Sequence, residues 1–291
     1  MRTRAFSSVG VVILGLLPSI VGGPIFALAM GLLAILAYTE FRRFSVALGS
    51  SAHPLGWLAI ATLAVVAVFS PTLEYLFAAL AIAVGLTLVN ALSRTQPSAS
   101  IAVSTWAFTV AGTLYLGLPV FAAIMLRGAP GTIEAVWLKE LAAWSALGWE
   151  SAPRGLAWLL IVILATWSGD TLAYIGGRSF GRRLLLPRIS PKKTIEGAIS
   201  GLIGSGVIGA VGVVVFGLGV QPIWGAIFGI CLGGFGQAGD LAESLLKRSA
   251  NVSDSGTLIP GHGGVLDRID ALLFALSGGW LMATVFDRFA L

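Results

Sequence analysis

The sequence predicts an all-α, polytopic integral membrane protein with about nine transmembrane helices and a cytoplasmic N-terminus. Three observations predict this fold class: the composition, the length of the apolar runs and the distribution of the basic residues. Of the 291 residues, 57% are hydrophobic and 11% are charged, whereas soluble domains carry about 25% charged residues. An ordinary soluble domain is therefore excluded. The net charge of +5 then concerns membrane orientation rather than nucleic acid, which we do not expect as a partner.

The apolar runs are long enough, or nearly long enough, to cross a bilayer as helices, which takes about 20 residues. They are continuously apolar rather than alternating, which favours helices over the strands of a membrane barrel. The first run resembles a secretory signal peptide, but a second apolar run follows it directly and favours a retained span. The runs lie near residues 5–22, 24–40, 54–70, 72–93, 101–126, 155–176, 197–218, 221–239 and 270–287.

Basic residues concentrate in alternate connections between these runs. If the N-terminus is cytoplasmic, 14 of the 18 Lys and Arg lie inside. Cytoplasmic loops are enriched in Lys and Arg, so this count favours nine spans with an external C-terminus. The inside residues are Arg2, Arg4, Arg42, Arg43, Arg94, Arg178, Arg182, Arg183, Arg188, Lys192, Lys193, Lys247, Arg248 and Arg268. The outside residues are Arg127, Lys139, Arg154 and Arg288.

The polar residues divide the chain into three regions. Residues 1–126 have few charges and are predicted to form N-terminal membrane helices. Residues 127–154 are predicted to form an external loop with an amphipathic, tryptophan-rich segment at the membrane interface. Residues 155–291 form the predicted catalytic region, because two polar segments on the cytoplasmic side, 177–196 and 240–269, hold most of the polar chemistry.

An acid at membrane depth precedes the first polar segment. Asp170 lies within the sixth apolar run, where a carboxylate is costly and usually faces a cavity or a partner. We expect a functional role for it. The structural alternative is a carboxylate that is bonded to hydroxyl groups or paired with an arginine.

The stretch "ISPKKTIEG" predicts a helix start that binds phosphate. Ser190 is expected to cap the helix, with Pro191 at its first position. Cations are unfavourable at a helix N-terminus unless an anion lies there, so converging N–H groups, ammonium groups and a hydroxyl indicate a phosphate site. The alternative is contact with lipid headgroups. Glu196 is expected to pair with one of the lysines. The first turn would hold Lys192, Lys193 and Thr194.

The second polar segment opens with a helix that carries a polar stripe. Asp240, Glu243, Ser244 and Lys247 follow the i, i+3, i+4, i+7 spacing and therefore share one helix face. This stripe predicts one wall of a polar pocket. The alternative is the solvated face of a surface helix.

The stretch "LIPGHGGVLDRIDALLF", residues 258–274, combines a glycine turn with two acids. Glycines allow a backbone to approach a ligand closely. Asp267 and Asp270 are three residues apart on one helix face and would repel each other unless a cation lies between them. Mg²⁺ takes such oxygen ligands together with substrate phosphates. The alternative pairs Arg268 with one acid. His262 is either a base or metal ligand, or a spacer in the turn.

Cations for phosphate, carboxylates for a metal and glycine loops on one side of the membrane suit phosphoryl or nucleotidyl transfer. Residues 244–270, "SLLKRSANVSDSGTLIPGHGGVLDRID", closely resemble the signature of phosphatidate cytidylyltransferases, the CDP-diacylglycerol synthases. The upstream block "DTLAYIGGRSFGRRLLLPRISPKKTIEG" resembles the same family. One position departs, because Ser253 precedes Asp254 where the family usually has lysine. This substitution removes one cation from the expected phosphate site.

The resemblance implies that CTP and phosphatidate give CDP-diacylglycerol and pyrophosphate with Mg²⁺, at the cytoplasmic face of a cell inner (plasma) membrane. A homodimer is left open. The implied metal ligands are Asp267, Asp270 and Asp240. The implied catalytic residues are Asp240, Lys192, Lys193, Arg268 and His262. The implied substrate-binding residues are Ser190, Thr194, Ser244, Lys247, Arg248, Asp254, Gly261, Gly263, Gly264, Asp170 and Glu196.

Two other functions fit parts of the sequence. A membrane transporter or lipid flippase also carries intramembrane acids and glycine-broken spans. Nearly all charges here cluster on one side and no internal repeat is visible, which disfavours transport. A CTP-dependent lipid kinase would differ in its acceptor, a hydroxyl instead of a phosphate, and the sequence does not distinguish these acceptors.

Overall fold

The computed structural model describes residues 15–93, 98–258 and 263–289. In these ranges the chain is mainly helical, with a single two-stranded antiparallel sheet. The elements are α1 (Gly23–Ala47), α2 (Leu55–Phe69), α3 (Leu73–Ser93), α4 (Ala99–Arg127), α5 (Val136–Ser145), α6 (Pro153–Phe180), β1 (Leu184–Leu186), β2 (Ser190–Thr194), α7 (Ile195–Val215), α8 (Pro222–Ser249) and α9 (Leu266–Phe289). The predicted all-α, multi-pass class is confirmed.

Among the described residues, six helices are long and apolar enough to cross a membrane. The count of about nine therefore stays a prediction. Most of the first predicted run, 5–22, lies outside the described residues, and α2 has only 15 residues. The six candidate spans are Gly23–Ala47, Leu73–Leu92, Ala99–Arg127, Pro153–Phe180, Ile195–Val215 and Leu266–Arg288.

The chain forms two compact units, which divide it differently from the predicted regions. Unit 1 comprises Met1–Pro18, Pro24–Met125 and Leu246–Arg268. Unit 2 comprises Ser19–Gly23, Leu126–Leu245 and Ile269–Leu291. The N-terminal helices therefore form one unit with the segment that contains the glycine turn.

The core of unit 1 is an aromatic cluster around Tyr38. The Tyr38 ring lies 6.2 Å from Phe41 and 6.2 Å from Trp57. Its hydroxyl donates to the His53 carbonyl at 2.8 Å, and the His53 N–H donates to the Thr109 hydroxyl at 2.7 Å. Because buried polar groups need partners, these bonds fix the turn between α1 and α2.

Helices α6, α7 and α8 pack closely in unit 2. The Ser205 hydroxyl on α7 donates to the Ala165 carbonyl on α6 at 2.8 Å. A Cβ atom at Gly209 or Gly229 would overlap the backbone of the facing helix. Small residues allow membrane helices to approach in this way. Trp158 fills the adjacent core, with its ring 4.9 Å from Phe228.

Opposite ends of unit 2 are held by different polar contacts. Arg154, at the start of α6, donates to the Asp287 carboxylate near the end of α9 at 2.6 and 2.9 Å. At the other end, Gly239 on α8 lies against the Asp270 carbonyl near the start of α9. Between α4 and α6 lies the short helix α5, which buries Leu138; its predicted place at the external membrane interface stays a prediction.

Candidate active site

The polar residues singled out by the sequence fall into two groups, one in each unit. We call them the Asp240 cluster (Asp170, Lys193, Asp240 and Ser244, in unit 2) and the Asp267 cluster (Glu40, Lys247, Ser255, Gly264 and Asp267, in unit 1). Each is described on its own.

The predicted helix start at Ser190 is wrong. Ser190–Thr194 forms strand β2, which pairs antiparallel with β1. Helix α7 begins at Ile195 instead, and Thr194 is its N-cap, accepting the Gly197 N–H at 3.1 Å. Threonine is a good cap, and hydroxyl-to-N–H capping satisfies a free donor of the first turn. Thr194 was expected in the first turn of that helix, and strand pairing makes it the cap instead.

Glu196 has a different partner from the predicted lysines. Its Oε2 accepts the backbone N–H groups of Arg182 and Arg183 at 3.0 and 3.2 Å. This carboxylate therefore ties the "GRR" turn to the start of α7. An acid in the first helical turn is also favoured by the helix dipole.

The strand separates the two predicted phosphate-binding lysines. Successive side chains of a strand point to opposite faces, so Lys192 and Lys193 do not converge as they would on a helix. Lys193 Nζ lies 2.5 Å from Asp240 Oδ2. Lys192 is exposed. This pairing joins the first polar segment to Asp240, the residue at which the second begins, within unit 2.

Other predicted residues join this contact. The Ser244 hydroxyl donates to Asp240 Oδ1 at 3.4 Å, as their shared helix face predicts. Asp170 interacts electrostatically with both Asp240 and Lys193. Glu243, expected on the same stripe, is fully buried. Asp240 and Ser244 thus share a helix face as predicted, while the pocket wall itself stays a prediction.

In unit 1, Asp267 is held by four contacts. Its Oδ1 accepts Lys247 Nζ at 2.8 Å. Its Oδ2 accepts the Ser255 N–H at 2.9 Å, the Ser255 hydroxyl at 2.8 Å and the Gly264 N–H at 2.8 Å. Asp267 therefore fixes the turn that leads into α9 and anchors Lys247 beside it.

Glu40 was missed by reasoning from the sequence. It is buried near the end of α1 and accepts the Val265 and Leu266 N–H groups, each at 2.9 Å, and the Ser255 hydroxyl at 2.8 Å. A carboxylate at a helix N-terminus is favoured by the dipole. The available signal was an acid at the end of an apolar run, where charge is costly.

The glycine turn packs closely around these carboxylates. Gly263 has φ of 83°, and a Cβ atom there would lie 2.9 Å from Asp267 Oδ2 and 3.3 Å from Asp254 Oδ1. A Cβ at Gly264 would overlap the Ser255 hydroxyl and the Glu40 carboxylate. Glycine is thus required at both positions by the protein itself. Gly261 and His262 lie outside the described residues.

The remaining predicted residues lie at the edges of these clusters. The Ser253 hydroxyl donates to Asp254 Oδ2 at 2.7 Å, and both residues are exposed. Arg248 is exposed near the end of α8, and Arg268 is exposed in the first turn of α9.

The oxygen donors of unit 2 fit a divalent cation. Asp240 and Asp270 are both partly exposed, and they lie on segments that the Gly239 contact brings together. Mg²⁺ is commonly held by one or two carboxylates plus substrate phosphates. Within the described ranges, no group of three or more His, Cys, Asp or Glu side chains is arranged to hold a metal. That these two carboxylates hold Mg²⁺ stays a prediction.

Comparison with known proteins agrees with these features. The model of the cytidylyltransferase family matches residues 2–286. A phosphatidate cytidylyltransferase of Bacillus subtilis is 40% identical over 133 residues, 46% of this chain and 49% of that protein. The protein of the same name from Staphylococcus saprophyticus is 44% identical over 128 residues, 44% and 49% of the two chains. That of Synechocystis sp. is 44% identical over 125 residues, 43% and 42%. The matched region thus spans about half the length of these curated relatives.

Proposed function

Because this chain belongs to the cytidylyltransferase family, we propose that it transfers CMP from CTP to phosphatidate, giving CDP-diacylglycerol and pyrophosphate. The relatives named above are phosphatidate cytidylyltransferases. The observation that carries the proposal is the pairing of Lys193 with Asp240 in unit 2. A phosphate-binding cation and a metal-binding carboxylate thereby lie side by side.

The reaction requires two anions to meet. A phosphate oxygen of phosphatidate forms a bond to the α-phosphorus of CTP, and the bond from that phosphorus to the bridging oxygen of pyrophosphate breaks. The phosphate monoester is already anionic near neutral pH, so the protein needs no strong general base. Its task is to position the two phosphates and to offset their repulsion.

Three residues of the Asp240 cluster have roles in this scheme. Lys193 leaves Asp240 for the phosphates of CTP. Asp240 and Asp270, both in unit 2, would hold Mg²⁺. When bound, Mg²⁺ supplies positive charge at the phosphate oxygens. Asp170 orients Lys193.

Phosphatidate is a membrane lipid, and we place the reaction at the cytoplasmic face of the bacterial inner membrane. The distribution of basic residues supports this orientation. Arg154 pairs with Asp287 in unit 2, so Arg154 and Arg288, both predicted to lie outside, are at the same end of this unit, as the orientation requires. In a protein whose Cys231 is replaced by alanine, cysteines at the exposed positions Ser179 and Ser253 should react only with reagents that reach the cytoplasm. Labelling of intact cells by an impermeant reagent would contradict the orientation.

The direct test uses the purified protein in detergent with CTP, phosphatidate and Mg²⁺, and measures CDP-diacylglycerol and pyrophosphate together. We expect equal amounts of the two products. Replacing phosphatidate by diacylglycerol should abolish turnover. Phosphorylation of diacylglycerol in that control, with CDP as the second product, would instead identify a CTP-dependent lipid kinase.

A further inference from the structure

The Glu40 carboxylate on α1 connects the N-terminal helices to the glycine turn by hydrogen bonds within unit 1. The side chain is buried, with 4% of its surface exposed. It accepts the first N–H groups of α9, from Val265 and Leu266, each at 2.9 Å. Burying a carboxylate is costly unless it is hydrogen-bonded. These donors and the helix dipole offset that cost.

The Ser255 hydroxyl extends this contact to Asp267. Its oxygen lies 2.8 Å from Glu40 Oε2 and 2.8 Å from Asp267 Oδ2, and it accepts the Asp267 N–H at 3.3 Å. The hydroxyl proton can be donated to either carboxylate, so one side chain bridges both. Asp267 in turn holds Lys247 at 2.8 Å. A continuous chain of polar contacts therefore runs from Glu40 to Lys247.

The segment that packs against Glu40 has no room for side chains at two of its positions. Cβ atoms at Gly256 and Gly264 would overlap the Glu40 side chain. Both glycines belong to the segment that enters α9, so the path of this segment is shaped around the carboxylate. Such a close fit is expected of an element that sets geometry rather than one that fills space.

We propose that Glu40 is a positioning residue of the transferase, which fixes Ser255 and the start of α9 and through them sets the orientation of Asp267 and Lys247. The inference rests on the function proposed above. Partners that orient a functional carboxylate typically affect affinity or activity by about 10–100-fold. Glu40 would act in that range without touching either substrate.

Kinetics of variants test the catalytic consequence. Glu40→Ala should lower kcat by about 10–100-fold. Glu40→Gln should lose less, because its amide oxygen can accept one of the helix N–H groups. Exposed Glu74, at the start of α3, supplies the control Glu74→Ala, which should keep parental kcat. Turnover is measured per folded, monodisperse protein. A lower melting temperature with parental kcat in Glu40→Gln and Glu40→Ala would show a merely structural role and overturn the proposal.

A double-mutant cycle on kcat provides a second test of the proposal. Ser255→Ala removes the bridging hydroxyl and should also reduce kcat. Because both changes interrupt one chain of contacts, the double variant Glu40→Gln, Ser255→Ala should lose less than the product of the two single losses. Losses that simply multiply would mean that Glu40 does not act through Ser255.

Hydrogen exchange distinguishes failure of this inference from failure of the proposed function. The Ser255 and Gly264 N–H groups donate to Asp267 rather than to Glu40. In the intact parental protein these amides should exchange slowly, and Glu40→Ala or Glu40→Gln should accelerate them by about 10-fold or more as the turn loosens. Protection retained at both amides in the variants would overturn the positioning role. This measurement decides the question even if the parental protein shows no transferase activity.

Discussion

The two lysine–aspartate pairs of this protein have the same chemistry and different surroundings. Lys193 and Asp240 lie 2.5 Å apart with 30% and 33% of their side chains exposed. Lys247 and Asp267 lie 2.8 Å apart with 18% and 7% exposed, and Asp267 accepts three further hydrogen bonds. An exposed pair can exchange its partners at little cost. A less exposed pair whose carboxylate has three further hydrogen bonds resists exchange, so we infer that the Asp240 pair meets substrate and metal while the Asp267 pair fixes the turn.

The largest effect on activity is expected for Asp240→Asn. Removing a carboxylate that holds positive charge at the reacting phosphates should lower kcat by about 1,000-fold. The melting temperature should hardly change, because exposed ion pairs contribute about 0–1 kcal/mol. Turnover, the Mg²⁺ dependence and thermal unfolding are measured on the same preparation. Near-parental turnover with an unchanged Mg²⁺ response would show that Asp240 is not a metal ligand. The role inferred for the Lys193–Asp240 pair would then be wrong.

Asp267→Asn should affect stability and activity together. The amide presents one acceptor oxygen and cannot pair with the Lys247 ammonium, so the free energy of unfolding should fall by roughly 2 kcal/mol. Activity should fall by about 100-fold as the turn and Lys247 lose their support. Thermal unfolding in detergent and steady-state kinetics measure the two changes. Loss of activity at parental stability would identify Asp267 as a metal ligand alone, and the two pairs would then be equivalent.

Variants of Lys193 and Lys192 test the role of the Lys193–Asp240 pair. Lys193→Met should reduce kcat/KM for CTP by about 10-fold, the value of one charge-assisted contact near 1.5 kcal/mol. Lys192→Met is the matched control, since its side chain leaves the other face of β2, and its loss should be smaller. Kinetics at varied CTP concentration compare the two variants. Equal losses would indicate that both lysines reach the phosphates despite the strand.

The fold class followed from the sequence because it depends on composition and on long apolar runs, which tolerate errors of several residues. The start of α7 did not. "SPKKT" satisfies the rules for a helix cap, yet it pairs with Leu184–Leu186 as a strand. Strand β1 has three residues, too few for alternation to be recognised, and the five residues of β2 show no alternation of apolar and polar side chains.

The sequence predicted those residues of the candidate site that lie in the two polar segments. Lys193, Asp240 and Asp267 were found because their residue types suggest phosphate and metal chemistry. Glu40 was not, since it lies 215 residues from Ser255 along the chain and no local pattern records that contact. A lone acid in an apolar run indicates only that some partner exists.

The smallest effect is expected where the sequence departs from the family signature it resembles. Ser253 is exposed and bonded to Asp254, and a Cβ atom at Gly263 would lie 3.3 Å from Asp254 Oδ1, so this position adjoins the glycine turn. Ser253→Lys adds a cation beside that turn without disturbing buried groups. Exposed charges contribute about 0.2–1 kcal/mol, so kcat/KM for CTP should rise by about 1.4- to 5-fold, and the gain should shrink as salt screens the charge. Ser253→Met, similar in length and uncharged, is the control. If the lysine variant is no more efficient than the methionine variant at low salt, CTP phosphates do not gather near residue 253. The positive charge at the nucleotide phosphates would then come from Lys193 of the Lys193–Asp240 pair.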